Sequence, residues 1–210
     1  MKYAFCAIAL LAATAHGQQW EVGALGGGAF YLNNSVTGAG ASGTAGFRPG
    51  LSAGGWLGHT NGGRYGGEVR YLFQLNSLKV ASGGETHTFG GQSHMMHYDF
   101  LIHMKTAEDS VRPFFAIGGG LKGYRGTGVE RAFQPLSNLA ILTKTSEWKP
   151  MLSLGAGLKW QLNAKMLLRV EVRDFVTPFP KSVILPSPGA KISGIVHDIT
   201  PLVGISYLLD

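Results

Sequence analysis

The sequence predicts an all-β chain: an eight-stranded antiparallel up-and-down barrel that crosses a membrane, preceded by a cleaved leader. Three observations predict it. The 210 residues include 32 Gly and are only 14% charged, whereas an average soluble domain has about 7% Gly and about 25% charged residues. Hydrophobic residues supply 45% of the chain, yet beyond the leader no run approaches the roughly 20 apolar residues of a spanning helix. Apolar and polar residues instead alternate with period two in eight successive stretches, the repeat of a strand with two unlike faces.

The leader comes first. Met1-Lys2-Tyr3 is a cationic start, Ala4 to Ala15 an apolar core, and Ala15-His16-Gly17 a small-x-small cleavage site. Residues 1–17 are therefore read as a signal peptide, with 18–210 as the barrel domain beginning at Gln18. The single Cys, Cys6, lies inside the leader's apolar core, which excludes a disulfide framework, a cysteine-rich zinc site and lipidation at a mature N-terminus. The formal net charge of +6 permits an acidic partner such as a lipid phosphate surface. No nucleic acid is expected, since the chain is exported and carries no nucleic-acid-binding motif.

The strands follow in order. Trp20 to Leu32 is the first, and Thr44 to Leu57 the second. Arg64 to Ser77, the third, contains Glu68-Val69-Arg70-Tyr71-Leu72-Phe73-Gln74-Leu75, with a bulky, partly aromatic face opposite a polar one. The fourth, Gln92 to Met104, repeats that pattern in His97-Tyr98-Asp99-Phe100-Leu101-Ile102. Pro113 to Tyr124 and Pro150 to Leu162 are the fifth and sixth. The seventh, Met166 to Val176, alternates most clearly, in Leu168-Arg169-Val170-Glu171-Val172-Arg173, and Val196 to Leu209 is the last. Long connections follow the odd strands (Asn33 to Gly43, Leu78 to Gly91, Arg125 to Lys149, Thr177 to Ile195), and shorter ones follow the even strands (His59 to Gly63, Lys105 to Arg112, Asn163 to Lys165). All long connections thus fall at one end, as in barrels with short periplasmic turns and longer outside loops.

On these features the sequence resembles the eight-stranded OmpA-like barrels of Gram-negative outer membranes, from Gln18 to Asp210. The most specific element is the last strand, in which Gly204, Tyr207 and Leu209 look like the terminal signal such barrels present to the barrel-assembly machinery. Two departures are Leu209 where Phe is usual, and Asp210 after it. The resemblance implies an outer-membrane location with outer-membrane lipid and lipopolysaccharide as partners. The chain stops at the barrel, so a peptidoglycan tether is not expected.

Parity then divides the side chains. With Val69, Tyr71, Phe73, Tyr98, Phe100, Ile102, Phe115, Ile117, Leu152, Leu154, Leu158, Val170, Val172, Val203, Ile205 and Tyr207 toward lipid, the lumen receives Glu68, Arg70, Asp99, Lys122, Lys159, Arg169, Glu171 and Arg173. Strand order sets the third strand opposite the seventh, so Glu68 and Arg70 meet Arg169, Glu171 and Arg173 in an ion-pair network that closes the interior. The first and fifth strands, with Gly26-Gly27-Gly28 and Gly118-Gly119-Gly120, also face one another. In the outside loops, Arg125, Arg131, Lys144, Lys149, Lys181 and Lys191 are candidate lipopolysaccharide contacts.

Competing chemistry is thinly represented. Neither Gly triplet precedes a Lys-Ser/Thr pair or opens a helix, so neither is a phosphate loop. His87, His94, His97 and His103 suggest metal, but His94 alternates with His97 and His103 across its strand, so no metal site is assigned. Ser93 with His94, and His197 with Asp198, invite an acyl-modifying enzyme; as sequence neighbours they point to opposite faces, and no catalytic residue or cofactor is assigned. The remaining alternatives are a narrow pore and a secreted lipocalin-type barrel with the apolar faces turned inward around a ligand.

Overall fold

The structure is a computed structural model that describes residues 19–38, 40–61, 63–192 and 194–209. The predicted leader, its cleavage site and Asp210 lie outside the described residues. Fifteen strands are formed: β1 (Gln19–Leu32), β2 (Asn34–Gly38), β3 (Ala41–Phe47), β4 (Gly50–Thr60), β5 (Tyr65–Leu75), β6 (Leu78–Ser82), β7 (Glu85–Phe89), β8 (Gly91–His103), β9 (Val111–Gly126), β10 (Ala140–Leu142), β11 (Ser146–Gln161), β12 (Met166–Pro178), β13 (Ile184–Pro186), β14 (Lys191–Ile192) and β15 (Ile195–Leu209).

Eight of them close a barrel in the order β1-β15-β12-β11-β9-β8-β5-β4, each antiparallel to its neighbours. Each barrel strand therefore pairs with the next barrel strand in the chain, and the last closes on the first, with Trp20 opposite Leu209 and Val22 opposite Tyr207. Closure removes the free edges that an open sheet would present. It also sets β1 opposite β9, and β5 opposite β12. The burial pattern alternates most regularly along β15, where every second residue from Val196 to Leu208 is inward.

One predicted strand divides. Thr44 to Leu57 is not continuous: β3 leaves the barrel and β4 begins at Gly50. Pro49 lies in the gap and has no N–H to give to a ladder. Gly50 is pressed so closely on the Leu75 carbonyl that a Cβ would overlap it.

The long connections are folded rather than open loops. β14, β2, β3, β6 and β7 form a five-stranded sheet in that order, and β10 pairs with β13. Together they cover the long-loop end with an apolar core that includes Val36, Phe47, Leu78, Val80, Leu139, Leu142, Val183, Ile184 and Ile192, joined to Tyr31 and Tyr124 from the barrel rim. Phe47 stacks on Tyr124 at 5.0 Å between centroids and meets Tyr31 at 5.1 Å.

Candidate functional site

The barrel interior holds the densest chemistry. Near the short-turn end, Glu21 on β1 takes Lys159 Nζ at 2.5 Å and the Trp56 indole N–H at 3.2 Å. The central belt follows. Glu68 accepts from Arg70 at 2.7 Å, from Arg169 at 2.6 and 2.9 Å and from Arg173 at 2.9 Å. Glu171 accepts from Arg70, from Arg169 at 2.8 Å and from Arg173 at 3.2 Å. Asp99 takes the other Arg173 nitrogen at 2.8 Å and lies 3.3 Å from His97 Nε2. Three carboxylates thus balance three guanidinium groups, all inaccessible to solvent. Planar guanidinium forks suit such a site because each bridges several carboxylate oxygens. Arg169 also lies 4.5 Å from the Phe114 ring centroid and 5.0 Å from that of Trp56.

Neighbouring strands leave room for these large side chains. A Cβ on Gly155 of β11 would overlap the Arg173 side chain, and one on Gly118 of β9 would overlap the Tyr98 carbonyl and the Asp99 carboxylate. Above the belt comes an apolar layer of Leu25, Leu72, Met95, Met151, Phe175 and Leu202. A second polar layer follows, in which Lys122 Nζ meets Asp198 at 2.5 Å and Gln74 at 3.0 Å. Tyr31 donates to Gln74 at 2.7 Å, and Lys122 Nζ lies 5.1 Å from the Tyr31 ring centroid and 5.0 Å from that of Tyr124. The folded cap closes over this layer.

All eight residues assigned to the lumen by parity are buried. Six of them, Glu68, Arg70, Asp99, Arg169, Glu171 and Arg173, form one cluster. Lys159 and Lys122 stand in separate pairs below and above it. Sequence reasoning missed their partners Glu21 and Asp198, along with Trp56, His97 and buried Arg112. Parity was the available signal: Glu21 alternates with Trp20 and Val22, and Asp198 with His197 and Ile199.

The exterior has the opposite character. Val69, Phe115, Ile117, Val172 and Val203 are about half exposed or more, in a belt of aliphatic and aromatic side chains on every barrel strand. Phe73 is partly covered by His94, 5.2 Å away between centroids. A belt of this kind is solvated by lipid, where a Lys or Arg at mid-depth would cost about 2–4 kcal/mol. The charged rows point inward, so the lipocalin-type reading, which needs the reverse parity, is set aside.

The fold is that of the eight-stranded outer-membrane barrels. Neisserial surface protein A superposes with a TM-score of 0.55 at 12% identity, over 90% of this chain and 96% of that one. The N-terminal β-barrel domain of Pseudomonas aeruginosa OprF gives 0.49 at 14% identity, over 91% and 97%. Ail, the attachment invasion locus protein of Yersinia pestis, gives 0.41 at 13%, over 90% and 98%. No protein-family profile matches the sequence, and no curated protein matches it.

The remaining candidates separate by face. Ser93 points inward to Gln74, while His94 points outward and pairs with the Tyr71 hydroxyl at 2.7 Å. His197 is outward too, with the Asp174 carboxylate at 2.8 Å, whereas its sequence neighbour Asp198 is in the lumen. His97 and His103 are buried inside, and His87 is on β7. Among the described residues no three His, Cys, Asp or Glu side chains converge as a metal site. Gly204 faces inward against Ala24 and Leu25, while Tyr207 and Leu209 face outward on the closing strand. Of the basic residues assigned to the outside loops, Arg125 lies instead at the end of β9, Lys149 on β11 and Lys191 on β14; Lys149 is paired with Glu147 at 2.5 Å, while Arg125, Arg131, Lys144, Lys181 and Lys191 are exposed.

Proposed function

We propose that this protein is a closed, structural barrel of the outer membrane whose outside surface binds lipopolysaccharide. The observation that carries the reading is the filling of the lumen: the ion-pair belt, the apolar side chains of Leu25, Leu72, Met95, Met151, Phe175 and Leu202, the Lys122–Asp198 layer and the folded cap succeed one another and are all buried. In planar bilayers the folded protein stays at baseline conductance, and a large stable conductance would overturn the closed reading in favour of a pore. Arg125, Arg131, Lys144, Lys181 and Lys191 are the residues that engage lipid phosphates, and Lys149, already paired, contributes least. Each exposed contact is worth about 0–1 kcal/mol and is screened by salt. Binding to purified lipopolysaccharide therefore falls as salt rises, and it falls again when Lys144, Lys181 and Lys191 are replaced together by Ala; salt-insensitive binding counts against this surface. Insertion itself follows presentation of Gly204, Tyr207 and Leu209 to the barrel-assembly machinery.

A further inference from the structure

The cap sheet has two edges, and they are built differently. One edge is β14, only two residues long and carrying Lys191. Short length and Lys are devices that discourage another strand from pairing. The other edge is β7, five residues long, without Lys, Arg or Pro.

The register shows which groups that edge offers. β6 and β7 are joined by Gly83 and Gly84, both at positive φ (58° and 84°), the geometry of a two-residue hairpin turn. Ser82 and Glu85, which flank the turn, form its hydrogen-bonded pair, so His87 and Phe89 also point their main-chain groups toward β6. The N–H and C=O of Thr86 and Thr88 then point away from the sheet. The next group in this series is already used: the Gly90 carbonyl accepts from Thr127 N–H at 2.8 Å and Gly128 N–H at 3.2 Å. A first rung of strand pairing therefore exists, and among the described residues no main-chain partner takes the outward groups of Thr86 and Thr88.

Alongside those open rungs runs a groove. A cleft of about 380 Å³ lies between His87–Gly90 and the segment containing Gly128, Val129 and Arg131, and another of about 570 Å³ lies between Glu85, Thr86 and Phe133. They follow one another along β7, with the 128–136 segment as the far wall. On that wall Val129 is 83% exposed and Phe133 77%, the two highest values among the large apolar side chains described.

We propose that this groove takes an extended peptide segment of a partner protein, which adds to β7 as a further strand. Main-chain pairing with Thr86 and Thr88 supplies the register, alternate apolar side chains cover Val129 and Phe133, and an acidic side chain meets Arg131.

The test uses folded protein in detergent micelles and a synthetic peptide alternating Val and Thr with one central Asp. Thr88→Pro removes an outward N–H without breaking a rung to β6, so the barrel keeps its unboiled electrophoretic mobility. Peptide affinity is expected to fall about tenfold in Thr88→Pro, the worth of one such bond, and to fall also in Phe133→Ala, a change on the opposite wall. A peptide N-methylated on one edge is expected not to bind. Absence of binding by the unmodified peptide, equal affinity for Thr88→Pro and Phe133→Ala, or equal binding of the N-methylated peptide would each overturn the proposal. So would a dimer that Thr88→Pro dissolves, since a second copy would then hold the edge.

Discussion

At the scale of single residues, the balance in the central belt is the feature with the largest consequences. Glu171 stands against Arg70, Arg169 and Arg173, all without solvent. Replacing it by Gln keeps the volume and removes one of three negative charges, so the guanidinium groups keep their desolvation cost and lose part of its compensation. Breaking a buried ion pair in this way typically costs about 3–5 kcal/mol. Glu171→Gln is therefore expected to unfold at distinctly lower urea in lipid vesicles, followed by loss of the fast unboiled band. Adding Arg169→Met restores equal charge counts and recovers part of the loss; a double variant weaker than Glu171→Gln alone would show that Arg169 stabilises through Trp56 and Phe114 more than through charge. These residues are legible in the sequence because a charge at every second position of a strand otherwise aliphatic has only the lumen to occupy. Glu21 and Asp198 are harder to read, since each is the lone charge on the inward face of its strand, and their partners Lys159 and Lys122 lie on other strands far away in sequence.

At the scale of elements, individual glycines differ in the space around them. Gly118 faces inward, where a Cβ would overlap the Tyr98 carbonyl, while Gly26 faces outward with its nearest neighbour, the Ser52 carbonyl, at 3.7 Å. Gly118→Ala is expected to cost about 1–3 kcal/mol by overpacking, and Gly26→Ala to stay within about 0.5 kcal/mol. Equal effects in urea titrations would mean that strand flexibility, rather than space, explains the glycine content. Element boundaries are legible where period two runs long, as in β12 and β15. They are not legible at β3 and β4, where apolar alternation continues across Arg48 and Pro49 while the chain changes sheets. The cap is the largest omission. Its core joins Phe47, Leu78, Leu142 and Ile184, each from a segment too short for a pattern of its own, to Tyr124 of the barrel rim, so only the tertiary contacts reveal it.

At the scale of the whole molecule, closure as proposed rests on several layers in series rather than on one gate. Arg70 sits in the belt, below Leu72, Met95, Met151, Phe175 and Leu202, and the Lys122–Asp198 layer and the cap lie beyond. Arg70→Ala removes side-chain volume from the belt alone and leaves Glu68 and Glu171 short of one cation each. Its effect should therefore appear as lower stability, with conductance in planar bilayers still at baseline. A narrow pore gated by the belt predicts the reverse: a stable rise in conductance in the same variant, with little change in urea midpoint. The two quantities move in opposite directions under the two readings, so a single variant, measured for both, decides whether the interior charges fill the barrel or guard a path through it.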